Sequence, residues 1–245
     1  MGRQVHAFEG QTAVITGGGS GVGSAVALAL ATARAKINLI GRRLDVLELI
    51  AAKARSIGSE ATCYRADLAS SSSQFEVMQQ LKRDLPYVDI LIQSAGVYFS
   101  DSIEHANLAD FDTLYQVNMR APYILTQGLL PLLKGRRGQV VFINSSSGIA
   151  AKPMTAQYDS TKHALKAIAD SLRGEANVHG VRVLSVYLGR TASNMQKKIF
   201  EVEERPYRPE LLLQPEDVAS VILNALSLPR TAEVTDIHIR PMIKV

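Results

Sequence analysis

Seven short apolar runs recur along the chain, at residues 12–16, 36–40, 61–66, 88–93, 139–144, 182–187 and 235–240. Between them lie stretches of ten or more residues with helical patterning. Strand-like runs that read as nearly continuous Val, Ile and Leu imply a sheet covered on both faces, while the run at 61–66 alternates apolar and polar positions. Strands of that kind alternating with helices predict an α/β architecture: a doubly wound parallel sheet of about seven strands flanked by helices on both faces. Ligands of such sheets bind beyond the carboxyl ends of the strands, where strand order reverses. The residues following each run are therefore the places to look for chemistry.

Length and composition narrow the picture. The 245 residues are 47% apolar, enough for a large core, and no Pro/Gly-rich linker or composition shift divides them, so residues 1–245 read as one domain. No run of eighteen apolar residues, leader or lipidation signal is seen, which points to a soluble, intracellular, cytoplasmic protein that does not engage a membrane. The single Cys63 lies in the run at 61–66 and reads as a half-buried thiol, with no partner for an internal disulfide. A net charge of +4 is mild, and Lys134, Arg136 and Arg137 form the one tight basic cluster, beside two glycines in a surface turn. No continuous basic face with aromatic platforms is present, so no nucleic-acid partner is expected. Five scattered histidines lack ligand spacing, and no metal is expected.

After the first run comes Thr16-Gly17-Gly18-Gly19-Ser20-Gly21-Val22-Gly23, then an Ala/Leu-rich helical stretch. Glycines allow positive φ and close approach of a ligand, and the N–H groups at the start of a helix attract a pyrophosphate. Gly17, Gly19, Ser20, Gly21, Val22 and Gly23 are thus candidates for a dinucleotide. Their spacing is Gly-x-x-x-Gly-x-Gly and does not fit Gly-x-Gly-x-x-Gly. After the second run stands Gly41-Arg42-Arg43, where an acidic residue would be needed to bind the ribose hydroxyls of NAD. Two guanidinium groups suit a 2′-phosphate, so NADP(H) is expected in preference to NAD(H). The alternative is that both arginines are solvated or pair with Asp45 and Glu48. Asp67-Leu68 follows the third run and Ser94-Ala95-Gly96 the fourth. Asp67 suits the adenine amino group or, alternatively, caps the next helix, and the small pair Ala95-Gly96 lets a flat cofactor pass. Finally, Tyr158 and Lys162 are four residues apart, which on a helix puts phenol and ammonium on one face. A nearby positive charge would favour the phenolate and lower its pKa.

In this order, Thr16 to Gly23, Asp67, Ala95-Gly96, Asn118, Ser145, Tyr158 and Lys162 resemble the classical short-chain dehydrogenases/reductases, over nearly the whole chain. The resemblance implies a Rossmann-type sheet and an enzyme interconverting carbonyl and alcohol. Ser145, thirteen residues before Tyr158 and three before Gly148, has the family's spacing among three consecutive serines. By the resemblance, Tyr158 exchanges a proton with the substrate oxygen as hydride moves to or from the nicotinamide, and Ser145 hydrogen-bonds that oxygen. Lys162 lowers the phenol's pKa and holds the nicotinamide ribose, and Asn118 holds a water that links Lys162 to solvent. Gly189 lies by the carboxamide, and Thr191 binds it, with Ser193 an equal candidate. The segment 190–213 forms a substrate lid, here an amphipathic flap, while Val97, Tyr98, Phe99, Ile149, Pro153 and Met154 wall a pocket for an apolar-bodied carbonyl or alcohol. A homodimer or homotetramer is implied. Three features depart from the family: Gln93-Ser94 replaces Asn-Asn, Leu188-Gly189 replaces Pro-Gly, and the C-terminus lacks a glycine-rich ending. A second function class, an NADP-binding sensor without turnover, tolerates these departures but leaves the intact set of Asn118, Ser145, Tyr158 and Lys162 unexplained.

Overall fold

A computed structural model describes residues 7–243. Seven strands, β1 (Thr12–Thr16), β2 (Lys36–Gly41), β3 (Ala61–Arg65), β4 (Ile90–Gln93), β5 (Gln139–Ser145), β6 (Arg182–Leu188) and β7 (Asp236–Ile239), make one parallel sheet in the order β3-β2-β1-β4-β5-β6-β7. The helices are α1 (Gly21–Thr32), α2 (Leu44–Ser56), α3 (Ser71–Asp84), α4 (Leu108–Tyr115), α5 (Ala121–Lys134), α6 (Ala156–Ala176), α7 (Asn194–Val202) and α8 (Pro215–Leu226). The doubly wound sheet expected from the apolar runs is the one observed, with strand bounds shifted by one or two residues.

Successive residues of each strand serve opposite faces, as the period of two requires. Ala13, Ile15, Ile90, Ile92, Val141, Leu184 and Val186 join a core under α1, α2 and α8. Val14, Leu91, Val140, Phe142 and Val183 join a second core under α3, α5 and α6. Near-continuous apolar runs therefore follow from having two covered faces. The fourth strand begins two residues later than the run at 88–93 suggests, for a specific reason. There the Asp89 carboxylate accepts the Thr12 N–H at 2.8 Å and the Arg136 guanidinium at 2.9 Å, so a side chain replaces a rung of the ladder.

The sheet order reverses between β1 and β4, with Thr16 paired to Gln93 at the carboxyl ends. This is the crevice where the candidate site lies. Helices α4 and α5 are joined by a π-helical turn, Gln116–Arg120, which carries Asn118. Such turns often mark functional positions within helices.

Candidate active site

Thr16, the last residue of β1, ties the two arms of the crevice together. Its buried hydroxyl accepts the N–H groups of Ser94 at 2.9 Å and Ala95 at 3.0 Å. Gly17 follows at φ +66°, and a Cβ there would lie 3.0 Å from Ala95 Cα and N. At Gly23 a Cβ would meet the Gly17 carbonyl oxygen at 2.4 Å. Both positions need glycine so that the loop, α1 and the β4 loop can close on one another. Ser20 stands at the N-cap of α1 without a side-chain capping bond, so the helix presents its N–H groups and positive end to the crevice.

Arg42 and Arg43 are exposed just beyond β2, and neither guanidinium makes a hydrogen bond or ion pair to another described residue. Glu48, the partner considered for them, pairs with Arg55 at 3.0 Å. Asp67 is exposed beyond β3, and its Oδ1 accepts the Ala69 N–H in a local turn. Ser70 caps α3 instead, which removes capping as the reason for Asp67. Leu68 beside it is buried.

The departure at the end of β4 has a structural explanation. Buried Gln93 donates to the Pro122 carbonyl and the Thr126 hydroxyl, each at 3.3 Å, so its amide fixes α5. The Ser94 hydroxyl lies against the glycine loop, 3.3 Å from where a Gly23 Cβ would sit. Asn118 is fully buried and grips the next residue of the loop. Its Oδ1 accepts the Val97 N–H at 2.9 Å, while Nδ2 donates to the Val97 carbonyl at 3.0 Å and the Thr161 hydroxyl at 3.3 Å. With its amide so engaged, the Asn118 side chain ties the loop after β4 to α6.

Asn144, which the sequence did not single out, organises the end of β5. Its Oδ1 accepts the Ser145 N–H at 2.8 Å and its Nδ2 donates to the Lys162 carbonyl at 3.1 Å, joining the serine to α6. Gly148 is required here because a Cβ would lie 2.6 Å from that Asn144 Oδ1. The Ser145 hydroxyl accepts the Ser147 N–H at 3.2 Å.

Tyr158 and Lys162 lie one turn apart on α6, both buried. The ammonium is 5.8 Å from the phenol ring centre and donates to the Ile143 carbonyl at 3.2 Å. It also borders the β4 loop, 4.0 Å from where a Gly96 Cβ would sit. Tyr98 packs edge-on against Tyr158, with ring centres 4.9 Å apart. Burial pushes the Tyr158 phenol up to about 12, against a downward pull from the Ser145 side chain, and burial pushes Lys162 down to about 8. Desolvation disfavours both charged forms, and for the phenol it outweighs the pull of Ser145, so its net shift in the free protein is upward.

Gly189, after β6, packs under the C-terminal strand: a Cβ would meet Pro241 Cδ at 3.0 Å and Arg240 Cα at 3.1 Å. Thr191 is buried and donates to the Gly189 carbonyl at 3.1 Å. Ser193 caps α7, accepting the Gln196 N–H at 3.1 Å. The flap begins and ends at one neck, where the Leu213 N–H reaches the Arg190 carbonyl and the Ala192 N–H reaches the Leu213 carbonyl. Within it, buried Phe200 lies between the guanidinium groups of Arg190 and Arg205, and Glu203 binds Arg190 at 2.7 Å. Arg136 of the basic cluster is engaged by Asp89 and stacks on Tyr87. Half-buried Cys63 has its thiol pushed up to about 12 by burial, as an inert core thiol should.

The glycine loop, Asp67, Ser94 to Gly96, Ser145, Tyr158, Lys162 and Gly189 thus all stand at the carboxyl edge of the sheet. A model of the short chain dehydrogenase family matches residues 11–204. The chain is 30% identical over 233 residues to an uncharacterized oxidoreductase of Staphylococcus epidermidis, covering 95% of this chain and 97% of that one. In fold it is similar to an alcohol dehydrogenase from the archaeon Thermococcus sibiricus complexed with 5-hydroxy-NADP, with a TM-score of 0.87, 24% identity, and coverage of 96% and 98%. A metagenomic short-chain oxidoreductase in complex with NADP gives a TM-score of 0.83 at 25% identity, with coverage of 97% and 100%. Sequence, sheet order and site agree: the chain belongs to the short-chain dehydrogenase family.

Proposed function

We propose that this protein interconverts a carbonyl and an alcohol with NADP(H), using Tyr158 as general acid and base. The observation that carries the reading is the gathering of Ser145, Tyr158 and Lys162 around one buried phenol beside the β1/β4 crevice. A phenol held near 12 is fully protonated at neutral pH, so it is loaded as a proton donor for carbonyl reduction. Ser145 holds the substrate oxygen, and Lys162 provides the positive charge that stabilises the phenolate left by proton transfer. Burial holds Lys162 near 8, so at neutral pH it is mostly charged and ready for that task.

The residues fit a dinucleotide. Gly17 to Gly23 form a cradle that a Cβ at Gly17 or Gly23 would fill, under an uncapped helix N-terminus. Arg42 and Arg43 would grip a 2′-phosphate, Asp67 and Leu68 would border the adenine, and Ser94, Ala95, Gly96, Gly189 and Thr191 would line the path to Tyr158 and Lys162. When bound, the cofactor supplies the hydride. The unpaired arginines favour NADP(H); of the similar structures, the metagenomic oxidoreductase is in complex with NADP and the Thermococcus sibiricus enzyme with 5-hydroxy-NADP.

In this reading the chain works as one domain with a lid over residues 190–213, acts on a small molecule with an apolar body, and resides in the cytoplasm. No helix among the described residues is long and apolar enough to cross a membrane. Exposed Leu108, Phe111, Tyr115 and Tyr123 lie three, four and eight residues apart along α4 and α5 and offer an apolar stripe for a homodimer or homotetramer. Light scattering of a 26.6 kDa species alone would refute that assembly. The function is tested by NADPH oxidation against a carbonyl panel, with Tyr158→Phe as the control that should abolish turnover and spare NADPH binding.

A further inference from the structure

The residue after the phenol, Asp159, is a buried carboxylate for which the proposed chemistry has no use. It is 1% exposed, and its two oxygens have unequal surroundings. Oδ2 accepts the Lys152 N–H at 2.8 Å and the Thr155 hydroxyl at 2.6 Å, whereas Oδ1 is buried with no hydrogen-bond partner among the described residues. A half-satisfied buried carboxylate lowers stability unless geometry requires it. What it grips is the loop between the 3₁₀ turn after Ser145 and the start of α6. Both of its anchor points flank Met154, which has φ +68° and is 54% exposed. A non-glycine residue in the left-handed region persists only where its surroundings over-determine it, and such residues cluster at functional sites. Thr155 reinforces the clamp by donating to both the Asp159 carboxylate and the Lys152 carbonyl. The loop leaves the site at Ser145–Gly148 and returns at Tyr158, so both of its ends are fixed at the site.

We propose that Asp159 is a positioning residue that clamps the loop 149–155, holding Met154 in its left-handed conformation as the gate that selects carbonyl substrates by the bulk of their apolar body. This rests on the proposed reductase reading, and the two are separable by experiment. The clamp itself is read without substrate, by hydrogen exchange of the Lys152 amide and its loop neighbours. Removing one hydrogen bond to a carboxylate in Thr155→Val should raise loop opening about tenfold, and Asp159→Ala should raise it further. Asp159→Asn, which retains an acceptor oxygen, should recover most of the protection. Unchanged loop exchange in folded Thr155→Val and Asp159→Ala overturns the clamp whatever the enzyme turns over. Selection is read from kcat and KM for a homologous series of straight-chain and branched ketones with NADPH. In Met154→Gly, which removes both the side chain and the φ restriction, the ratio of kcat/KM between branched and small ketones should shift at least about tenfold, carried by KM more than kcat. An equal fall in kcat for every ketone, or no shift in the ratio, overturns the gate. Absence of turnover by the wild type with every carbonyl, in either direction, refutes the reductase reading and the gate together, while the exchange result still decides the clamp.

Discussion

Replacing Thr16 by Val keeps the shape of the side chain and deletes the one hydroxyl that joins the glycine loop to the β4 loop. The structure sets the size of the effect. Two amide donors, Ser94 N–H at 2.9 Å and Ala95 N–H at 3.0 Å, lose their acceptor, and Thr16 itself is only 1% exposed. A buried donor left unpaired costs about 1–3 kcal/mol, and partial water access at the two amides favours the lower half, giving about 2–4 kcal/mol for the pair. The added methyl returns at most about 1 kcal/mol of apolar burial. Urea unfolding should therefore show a lower midpoint at unchanged slope, equivalent to a loss of about 1–3 kcal/mol. Because the glycine loop packs against the β4 loop across the same junction, so closely that a Cβ at Gly17 would lie 3.0 Å from Ala95, NADPH affinity should fall as well. Thr16→Ser, which keeps the hydroxyl and loses the methyl, should be the more stable of the two variants. A Thr16→Val protein within about 0.5 kcal/mol of wild type, or less harmed than Thr16→Ser, would refute the reasoning.

Two further outcomes follow from the same geometry. Alanine at both Arg42 and Arg43 should raise the Kd for NADPH by about ten- to a hundredfold, as the loss of charge-assisted hydrogen bonds to a phosphate implies, while NADH binding moves little; equal losses for both cofactors would remove the 2′-phosphate argument. Lys162, held near 8 in the folded chain against an ordinary 10.5, binds fewer protons folded than unfolded between those values, so its contribution to stability rises with pH in that window. Between pH 8 and 9 the wild type should gain about 1 kcal/mol relative to Lys162→Met in urea unfolding; parallel profiles for the two would mean that the lysine is not desolvated.

The sheet was legible because two covered faces write themselves as apolar runs, and the glycine loop because a close backbone approach excludes a side chain. Tyr158, Lys162 and Ser145 were legible from spacing that one helix and one strand end preserve. What the sequence hid was the hydrogen bonding that holds these parts in place. Thr16 and Asn144 are polar residues at the ends of apolar segments and Asp159 lies in the first turn of α6, and their partners lie 78, 18 and 7 residues away in the chain. A polar residue closing an apolar strand, as Thr16 and Asn144 do, is the signal that was available. The direction of the Tyr158 shift was hidden for a different reason, since spacing tells that a lysine is near but not how far both groups are removed from water. Gln93 differs again: its longer side chain turns into α5, a choice fixed by the position of Pro122 and Thr126.

In the proposed reaction the Tyr158 phenol is the proton donor of an NADPH-dependent reduction. The most direct measurement is single-turnover NADPH oxidation by wild type and Tyr158→Phe at saturating carbonyl, with NADPH affinity measured on both. The Phe variant should lose about a hundred- to ten-thousandfold in rate, the range of general acid catalysis, with NADPH affinity preserved. Turnover by Tyr158→Phe within a few-fold of wild type would contradict it.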